Sequence, residues 1–255
     1  MNEDFPLPGP PPALAIDVWM LDLDRPPGHD RRPGDLLSAE ESERANRFVF
    51  PRDAERFRLG RAMLRLGLAW YLGEDPRKIT LTVGWRGKPR LREPSGLYFN
   101  VTHCGGLGLI AFTKFGEVGI DVEAMQRDVE AQDIASSNFT SREAGLIAAA
   151  GTLEEKTTLF LRYWTRKEAV LKASGCGILD GLDTVDVSEG SRRLVKLSGA
   201  GGDADESGWQ VRDLEGIGGY AGAVAAAPGD WSIRRWAIDY ETALQRFAAR
   251  FPGML

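Results

Sequence analysis

The feature that most constrains the fold is a repeated helical plan that begins with capping boxes. In a capping box, a Ser or Thr and a Glu three residues later each satisfy a free backbone donor at the start of a helix. Ser38-Ala39-Glu40-Glu41 is such a box and predicts a short helix that runs toward Phe48. The stretch from Asp53 to Tyr71 then predicts a longer amphipathic helix that ends at Gly73.

The second half of the chain follows the same plan. Thr140-Ser141-Arg142-Glu143 opens a predicted short helix that ends at Gly151. Thr152-Leu153-Glu154-Glu155 opens a predicted long helix that reaches about Ser174. The order of a short helix followed by a long helix therefore occurs twice.

Similar turns in the two long helices, Leu59 to Arg65 and Thr165 to Lys172, support an internal repeat. They predict two related α+β halves packed as a pseudo-dimer, residues 14–113 and 114–255, after a flexible extension at residues 1–13. A ligand site is expected at the interface between the halves, because interfaces supply concave surfaces. The alternative is a chance likeness between two amphipathic helices.

Strands are predicted around these helices from short apolar or alternating runs. Lys114-Phe115-Gly116 has the signature of a hairpin that joins the runs Leu107 to Phe112 and Glu117 to Glu123. The other predicted elements are strands at 16–23, 79–83, 98–102, 184–187, 194–197, 209–214, 220–227 and 231–238, and a short helix at 240–251.

Composition excludes several classes of protein. Of the 255 residues, 43% are hydrophobic and 27% are charged, as in ordinary globular proteins, and the formal charge of −5 argues against a general nucleic-acid binder. Two cysteines and two histidines are too few for a disulfide scaffold, and they argue against a zinc site. Because the sequence shows no long apolar run and no signal peptide, we expect a cytoplasmic protein without a membrane span.

Asp121 and Glu123 are the first candidate site residues, because residues two apart in a strand point to the same face. Two carboxylates this close repel each other unless a cation lies between them. Mg²⁺ suits such a pair, since it takes one or two protein carboxylates and completes its shell with phosphate and water. The alternative is an ordinary strand with a solvated outer face that also includes Glu117. The motif alone favours this alternative, because alternating strands are common.

Trp164, Glu168 and Lys172 lie four residues apart and form one stripe on the second long helix. Burial of Trp164 would set Glu168 at the edge of the core. The alternative is a surface Glu–Lys pair worth roughly 0.3–0.5 kcal/mol, and by itself this alternative is again favoured.

Further candidates are side chains that could donate hydrogen bonds to an anion. Thr102 and His103 end a predicted strand, although a lone histidine is more often structural. Lys88 lies in a turn-forming Gly-Lys-Pro stretch, where most lysines are solvated. The two predicted helices of the first half carry an arginine cluster, which suits phosphate recognition or plain solvent exposure: Arg47, Arg52, Arg56, Arg58, Arg61 and Arg65.

Taken together, these motifs resemble those of the 4'-phosphopantetheinyl transferases. The chain is similar in particular to the Sfp-type branch, in which one chain holds both halves of a pseudo-dimer. The clear resemblance spans Gly87 to about Gly177 and consists of five ordered motifs: Gly87–Pro89, Phe99–His103, Gly119–Glu123, Phe139–Glu143 and Trp164–Gly175.

The resemblance implies roles for particular residues. Asp121, Glu123 and Glu168 match the magnesium-binding acidic positions of the family, and Lys172 matches a lysine that contacts the pyrophosphate of coenzyme A. Glu143 matches an acidic position that is a candidate catalytic base.

The resemblance also implies a binding site for the nucleotide part of coenzyme A. Thr102 and His103 match a pair in the coenzyme A phosphate site, and Lys88 matches a lysine near the adenine nucleotide. Arg47 and Arg56 match cationic positions for the 3'-phosphate.

The implied reaction moves the phosphopantetheine arm of coenzyme A to a serine of an apo acyl or peptidyl carrier protein and releases adenosine 3',5'-bisphosphate. Glu168 is the first candidate for the base that takes the serine proton, and Glu143 is the second. We expect a monomer that binds coenzyme A and the carrier protein but neither nucleic acid nor a membrane. Two other functions stay open: a binding module that grips coenzyme A or a carrier without transfer, and a magnesium-dependent nuclease or phosphatase.

Overall fold

The computed structural model describes residues 7–9, 11–25, 28, 32–84, 87–127, 129–175, 181–189, 194–195 and 208–255. Within these ranges the chain forms the predicted α+β fold. The helices are α1 (Ala39–Asn46), α2 (Pro51–Leu72), α3 (Ala131–Asn138), α4 (Ser141–Ala149), α5 (Leu153–Ser174) and α6 (Tyr240–Arg250). The strands are β1 (Ala15–Asp22), β2 (Leu81–Val83), β3 (Pro89–Leu91), β4 (Tyr98–Cys104), β5 (Leu107–Thr113), β6 (Val118–Ala124), β7 (Leu194–Val195), β8 (Trp209–Asp213), β9 (Tyr220–Ala226) and β10 (Ser232–Ala237).

The helix boundaries follow the predicted caps. Ser38, Thr140 and Thr152 each accept a hydrogen bond from the backbone three residues on, and each box is closed by its glutamate. Gly73 and Gly175 end α2 and α5 with φ values of 71° and 76°, a conformation that strains residues with a Cβ. The capping boxes therefore fix where these helices begin, and the two glycines fix where the long helices end.

Three strands in each of the two four-stranded sheets share one topology. The first has the order β10-β1-β5-β4 and the second has the order β6-β9-β8-β7, while β2 and β3 form a separate small sheet. The segments β1-β5-β4 and β6-β9-β8 are both antiparallel throughout. This shared order confirms the predicted α+β halves of a pseudo-dimer.

The helices of the two halves correspond at an offset of 102 positions. α1 and α4 begin at residues 39 and 141, and α2 and α5 begin at residues 51 and 153. This offset pairs Leu59 with Leu161 and Arg65 with Lys167. The sequence match of Leu59 to Arg65 with Thr165 to Lys172 therefore differs from this structural correspondence by about one helical turn.

Two predictions of local structure are wrong, and one helix was missed. β5 and β6 are not a hairpin, because β5 pairs with β1 and β4 while β6 pairs with β9 in the other sheet. Residues 184–187 form no strand, since a 3-10 turn at Leu182–Thr184 is followed by irregular chain. Helix α3 was not predicted. Of the predicted strand 194–197, residues 196–197 lie outside the described residues.

The two sheets pack back to back with a helical layer outside each. Trp19 and Phe112 of the first sheet lie in a core with α2. The opposite face of that sheet shares a second core with Ile120 and Val224 of the second sheet. The outer face of the second sheet, including Ala223, packs against α5. The order of layers is therefore helix, sheet, sheet, helix.

The end of the chain returns to the first sheet. β10 runs parallel to β1, and Tyr240 and Phe247 of α6 are buried in the core around α2. Residues 232–250 thus complete the first half in space, although they follow the second half in sequence. The domain boundaries at 14–113 and 114–255 stay a prediction.

The short helices are tied to the long helices by equivalent buried ion pairs. Glu41 of α1 accepts from Arg65 at 2.6 Å, and Glu143 of α4 lies 2.6 Å from Lys167. Arg65 also donates to two backbone carbonyls, those of Pro76 and Ile79, and Lys167 donates to those of Leu182 and Val185. The third residue of each capped short helix therefore anchors the long helix of its own half.

Candidate functional site

A glycine brings α5 against β6. A Cβ atom at Gly119 would lie 1.9 Å from the carbonyl oxygen of Ala169 and 2.5 Å from the backbone nitrogen of Ala173, so the strand and the helix are in backbone contact. Gly119 and Asp121 share one face of β6. The helix therefore places Glu168 and Lys172 beside that face.

Asp121 is buried, with 5% of its surface exposed. Its Oδ1 accepts from Lys172 Nζ at 2.5 Å and from the Thr102 hydroxyl at 3.1 Å, while Oδ2 has no hydrogen-bond partner among the described residues. Burial raises the pKa of Asp121 above its ordinary value, although Lys172 opposes that effect. The interpretation of β6 as a strand with a solvated outer face is thus wrong at this residue.

Glu168 is also buried, at 3% exposure, and its Oε1 has no hydrogen-bond partner in the described part of the chain. Burial raises its pKa to about 7; Lys172 opposes this shift, and the charges of Asp121 and Glu123 add to it. An exposed Glu–Lys pair on the helix surface is therefore the wrong interpretation. Glu168 and Asp121 instead form one electrostatically coupled cluster with Glu123 at its edge.

Glu123 lies at the more open end of this cluster. Its carboxylate pairs with Arg127 at 3.0 Å and accepts from the Cys104 thiol at 3.6 Å. Among the described residues, no three His, Cys, Asp or Glu side chains are already arranged around a common metal position.

Thr102 and His103 lie beside the acidic cluster at the end of β4. The Thr102 hydroxyl donates to Asp121 and accepts from Lys172 Nζ at 3.4 Å. His103 is exposed, and the pKa of its imidazole is lowered by partial desolvation and then by the positive charges of Lys172 and Arg56. His103, Lys172 and Arg56 therefore share one neighbourhood.

Lys88 connects the start of β6 to the end of α5. Its Nζ donates to Glu117 at 2.7 Å, to the Val118 carbonyl at 3.0 Å and to the Lys172 carbonyl at 2.8 Å. An ammonium group has three N–H donors, so all of them are used. Burial lowers the pKa of Lys88. In this structure Lys88 acts as a link that supports the backbone of Lys172.

The arginines of the first half separate into different environments. Arg56 is largely buried and holds Asp24 through two hydrogen bonds, whereas the exposed Arg47 side chain pairs only loosely with Glu43, at 3.7 Å. Arg61 and Arg65 both pair with Glu41. Of the two arginines predicted for the 3'-phosphate, Arg56 is the one whose charge acts on the pKa of His103.

Glu143 is completely buried, and its carboxylate is fully engaged. Oε1 accepts from the Val187 backbone at 2.8 Å, and Oε2 contacts Lys167 at 2.6 Å and the Thr140 hydroxyl at 2.9 Å. No contact between Glu143 and the acidic cluster is found in the described part of the chain. The structure thus groups six predicted site residues and places two more, Lys88 and Arg56, beside them: Asp121, Glu123, Glu168, Lys172, Thr102 and His103. Among the described residues, no contact joins Arg47 or Glu143 to this group.

Sequence reasoning missed two contributors to this site. Gly119 stands inside an alternating strand, which is a known signal of close backbone approach. Asp24 follows β1, and no local pattern distinguishes it from Asp17 or Asp22. Its importance comes from two arginines that are distant in sequence.

The fold and the site define a class of protein: a repeated α+β chain with buried carboxylates and a lysine where the second long helix meets the first strand of its half. Residues 117–225 match the sequence model of the 4'-phosphopantetheinyl transferase superfamily, and residues 32–114 match that of the 4'-phosphopantetheinyl transferase, N-terminal domain. The chain belongs to the 4'-phosphopantetheinyl transferase superfamily, which confirms the resemblance seen in the sequence.

Two of the following relatives cover nearly the whole chain, and the third covers about half of it. The 4'-phosphopantetheinyl transferase HetI of Nostoc sp. is 34% identical over 90% of this chain and 97% of its own length. The 4'-phosphopantetheinyl transferase Sfp of Bacillus subtilis is 26% identical over 90% of this chain and 100% of its own length. The L-aminoadipate-semialdehyde dehydrogenase-phosphopantetheinyl transferase of Mus musculus is 31% identical over 56% of this chain and 49% of its own length. The predicted enzyme class, a phosphopantetheinyl transferase, is thereby confirmed.

None of the helices in the described ranges is both long enough and apolar enough to cross a membrane.

Proposed function

We propose that this protein transfers the 4'-phosphopantetheine arm of coenzyme A to a serine of an apo acyl or peptidyl carrier protein, with Mg²⁺ as its metal ion. The observation that carries the proposal is a pair of buried carboxylates, Asp121 and Glu168, each with an oxygen that has no hydrogen-bond partner in the described part of the chain. Such oxygens are costly unless a cation or another partner satisfies them.

The donor set fits Mg²⁺. Asp121, Glu123 and Glu168 would supply oxygen ligands to the ion. Burial, together with the charges of Asp121 and Glu123, raises the pKa of Glu168, as expected for carboxylates that lie close together. Lys172 Nζ donates to an oxygen of Asp121, and Arg127 pairs with an oxygen of Glu123. These side chains would rearrange when the ion binds. When bound, Mg²⁺ would neutralise the charge that develops on the pyrophosphate oxygens.

Transfer requires a serine oxygen to bond to the β-phosphorus of coenzyme A while the bond from that phosphorus to the adenosine 3',5'-bisphosphate oxygen breaks. Lys172 supplies a positive charge beside the cluster, where it can stabilise the departing phosphate. The serine proton goes to a carboxylate base. We assign this role to Glu168 rather than Glu143, because every oxygen of Glu143 is already bonded inside the protein.

The nucleotide part of coenzyme A is assigned to the side of the site that holds His103, Thr102 and Arg56. These groups lie on the first half of the chain, and the acidic cluster lies on the second. Both parts of the site are supplied by one chain, which is consistent with action as a monomer. The cytoplasmic location stays a prediction.

The test is intact mass spectrometry of an apo carrier domain incubated with the protein, coenzyme A and Mg²⁺. We expect addition of one phosphopantetheine group by the wild type and no addition by Glu168→Gln. The matched control is Glu154→Gln, which makes the same chemical change at an exposed residue of α5 and should transfer normally.

Other outcomes favour the alternative functions. Coenzyme A binding without transfer by the wild type would indicate a binding module, and nucleotide cleavage without transfer would indicate a hydrolase. Normal transfer by folded Glu168→Gln would refute both roles assigned to Glu168.

A further inference from the structure

Asp24 holds two arginines of α2 at the start of that helix. Its carboxylate accepts from Arg56 Nε and Nη2 at 2.8 and 2.7 Å, and from Arg52 Nε and Nη2 at 3.3 and 3.1 Å. Paired N–H···O contacts of this kind fix the plane of a guanidinium as well as its position. One carboxylate therefore orients two guanidinium groups.

The main chain that carries this carboxylate is itself anchored. The Asp24 backbone nitrogen donates to Asp22 Oδ1 at 3.0 Å, and the neighbouring Leu23 nitrogen donates to the Gly106 carbonyl at 2.7 Å. A Cβ atom at Gly106 would lie 2.5 Å from Asp24 Oδ2, so a side chain at residue 106 would push the carboxylate out of this position. Gly106 is in the turn that follows β4, three residues beyond His103. Asp24 thus connects Arg56 to the end of the strand that carries His103.

The two arginines differ in how much freedom they would have without Asp24. The Arg56 side chain is 13% exposed, and the Arg52 side chain is 68% exposed. Arg56 donates hydrogen bonds from Nε and Nη2 to Asp24, and no acceptor for its Nη1 is found among the described residues. Arg56 therefore keeps an N–H edge available for an anion, in a fixed orientation and near His103.

We propose that Asp24 is a positioning residue that fixes Arg56 for the 3'-phosphate of coenzyme A. The proposal rests on the proposed function, because it takes coenzyme A as the ligand. An anion that meets an immobilised guanidinium avoids the entropy cost of ordering that rotamer-rich side chain. Asp24 also places a negative charge near the anion, and the resulting repulsion would weaken binding. The exposed position of Asp24 screens that repulsion, so we expect the orienting effect to dominate.

The test compares binding of coenzyme A and 3'-dephospho-coenzyme A to the purified full chain by titration calorimetry. Asp24→Asn keeps the shape of the side chain but removes the charge and one acceptor. We expect it to weaken coenzyme A binding by about three- to tenfold and to leave 3'-dephospho-coenzyme A unchanged. Asp24→Ala provides a second variant with the same expected result, and thermal unfolding checks that both fold.

Two controls separate positioning from a general structural effect. Asp75→Asn breaks another bidentate Asp–Arg pair, with Arg77, and should leave both affinities unchanged. In an Arg56→Gln background, Asp24→Asn should cause no further loss, because Asp24 acts through Arg56.

The outcomes distinguish this inference from the proposed function. A wild type that does not bind coenzyme A would overturn both. If the wild type binds coenzyme A, the inference alone is overturned when Asp24→Asn leaves the preference for the 3'-phosphate unchanged, strengthens it, or weakens both ligands equally.

Discussion

Glu143 and Glu168 are both buried glutamates, yet their surroundings give them different roles. Each oxygen of Glu143 is bonded, and one of them contacts the buried ammonium of Lys167. Glu168 keeps an oxygen without a hydrogen-bond partner in the described part of the chain, beside other carboxylates. A satisfied buried carboxylate stabilises the fold, whereas an unsatisfied one is available to a ligand.

Glu143→Gln should therefore reduce the stability of the fold and leave the rate of transfer nearly unchanged. Breaking a buried ion pair leaves the charge of Lys167 uncompensated, which costs about 3–5 kcal/mol of unfolding free energy. Urea denaturation measures this loss. The fraction that stays folded at low temperature should transfer phosphopantetheine at a rate close to that of the wild type.

The pair Glu41–Arg65 offers a matched control, because it occupies the equivalent position in the first half. Glu41→Gln should also destabilise the protein and spare the chemical step. If Glu143→Gln is stable but inactive while Glu41→Gln is active, Glu143 is the base and our assignment to Glu168 is wrong.

The sequence identified those site residues whose spacing is local. Asp121 and Glu123 follow the two-residue period of a strand, and Glu168 and Lys172 follow the four-residue spacing of a helix. The contacts of Asp24 with Arg56 and of Lys88 with the Lys172 carbonyl could not be predicted, because they join residues 32 and 84 positions apart. No local pattern encodes such a contact.

At the scale of elements, the contact of α5 with β6 determines the geometry of the site. The strand contributes Asp121 and the helix contributes Glu168 and Lys172, so their separation depends on how closely the two backbones approach. That approach requires Gly119, since a Cβ there would meet the backbone of α5.

Gly119→Ala should displace α5 and reduce both stability and transfer. Overpacking of this kind costs about 1–3 kcal/mol, and the obstacle here is helix backbone, which cannot move aside as a side chain can. We expect a lower denaturation midpoint and a large loss of transfer rate.

Gly145→Ala is the control for this prediction, because it adds a methyl group within α4, where nothing lies within 4 Å. It should be neutral or should stabilise the protein by about 0.5–1 kcal/mol. A Gly119→Ala variant that matches the wild type in midpoint and rate would contradict the role assigned to the helix–strand contact.

The helices were predicted more accurately than the pairing of the strands. Capping boxes and terminal glycines are local signals, and they located α1, α2, α4 and α5. The Lys114–Gly116 turn predicted a hairpin, but a turn does not specify which strand its neighbour pairs with. Here the chain crosses from the first sheet to the second, because β6 opens the second repeat.

At the scale of the whole molecule, the 102-position offset shows that the two halves have diverged in chemistry while keeping their framework. The positions equivalent to Asp121, Glu123, Glu168 and Lys172 are Trp19, Leu21, Leu66 and Trp70. All four are buried apolar residues in the core around α2. One half therefore uses these positions for a charged site, and the other uses them to strengthen its core.

Because the C-terminal segment returns to the first sheet, we expect the two halves to unfold together. Phe247 is 1% exposed in the core around α2, although it lies in the predicted C-terminal half of the sequence. Phe247→Ala should cost about 3–5 kcal/mol of unfolding free energy, because it removes the ring and leaves a cavity.

Because the two sheets share a core, this loss should appear as one transition that is coincident by fluorescence and by circular dichroism, not as melting of one half alone. Phe50→Ala, the same change at a residue with 66% exposure, should alter stability by no more than about 0.5 kcal/mol. Two separate transitions in Phe247→Ala would mean that the halves unfold independently. The shared core would then be too weak to couple the unfolding of one half to that of the other.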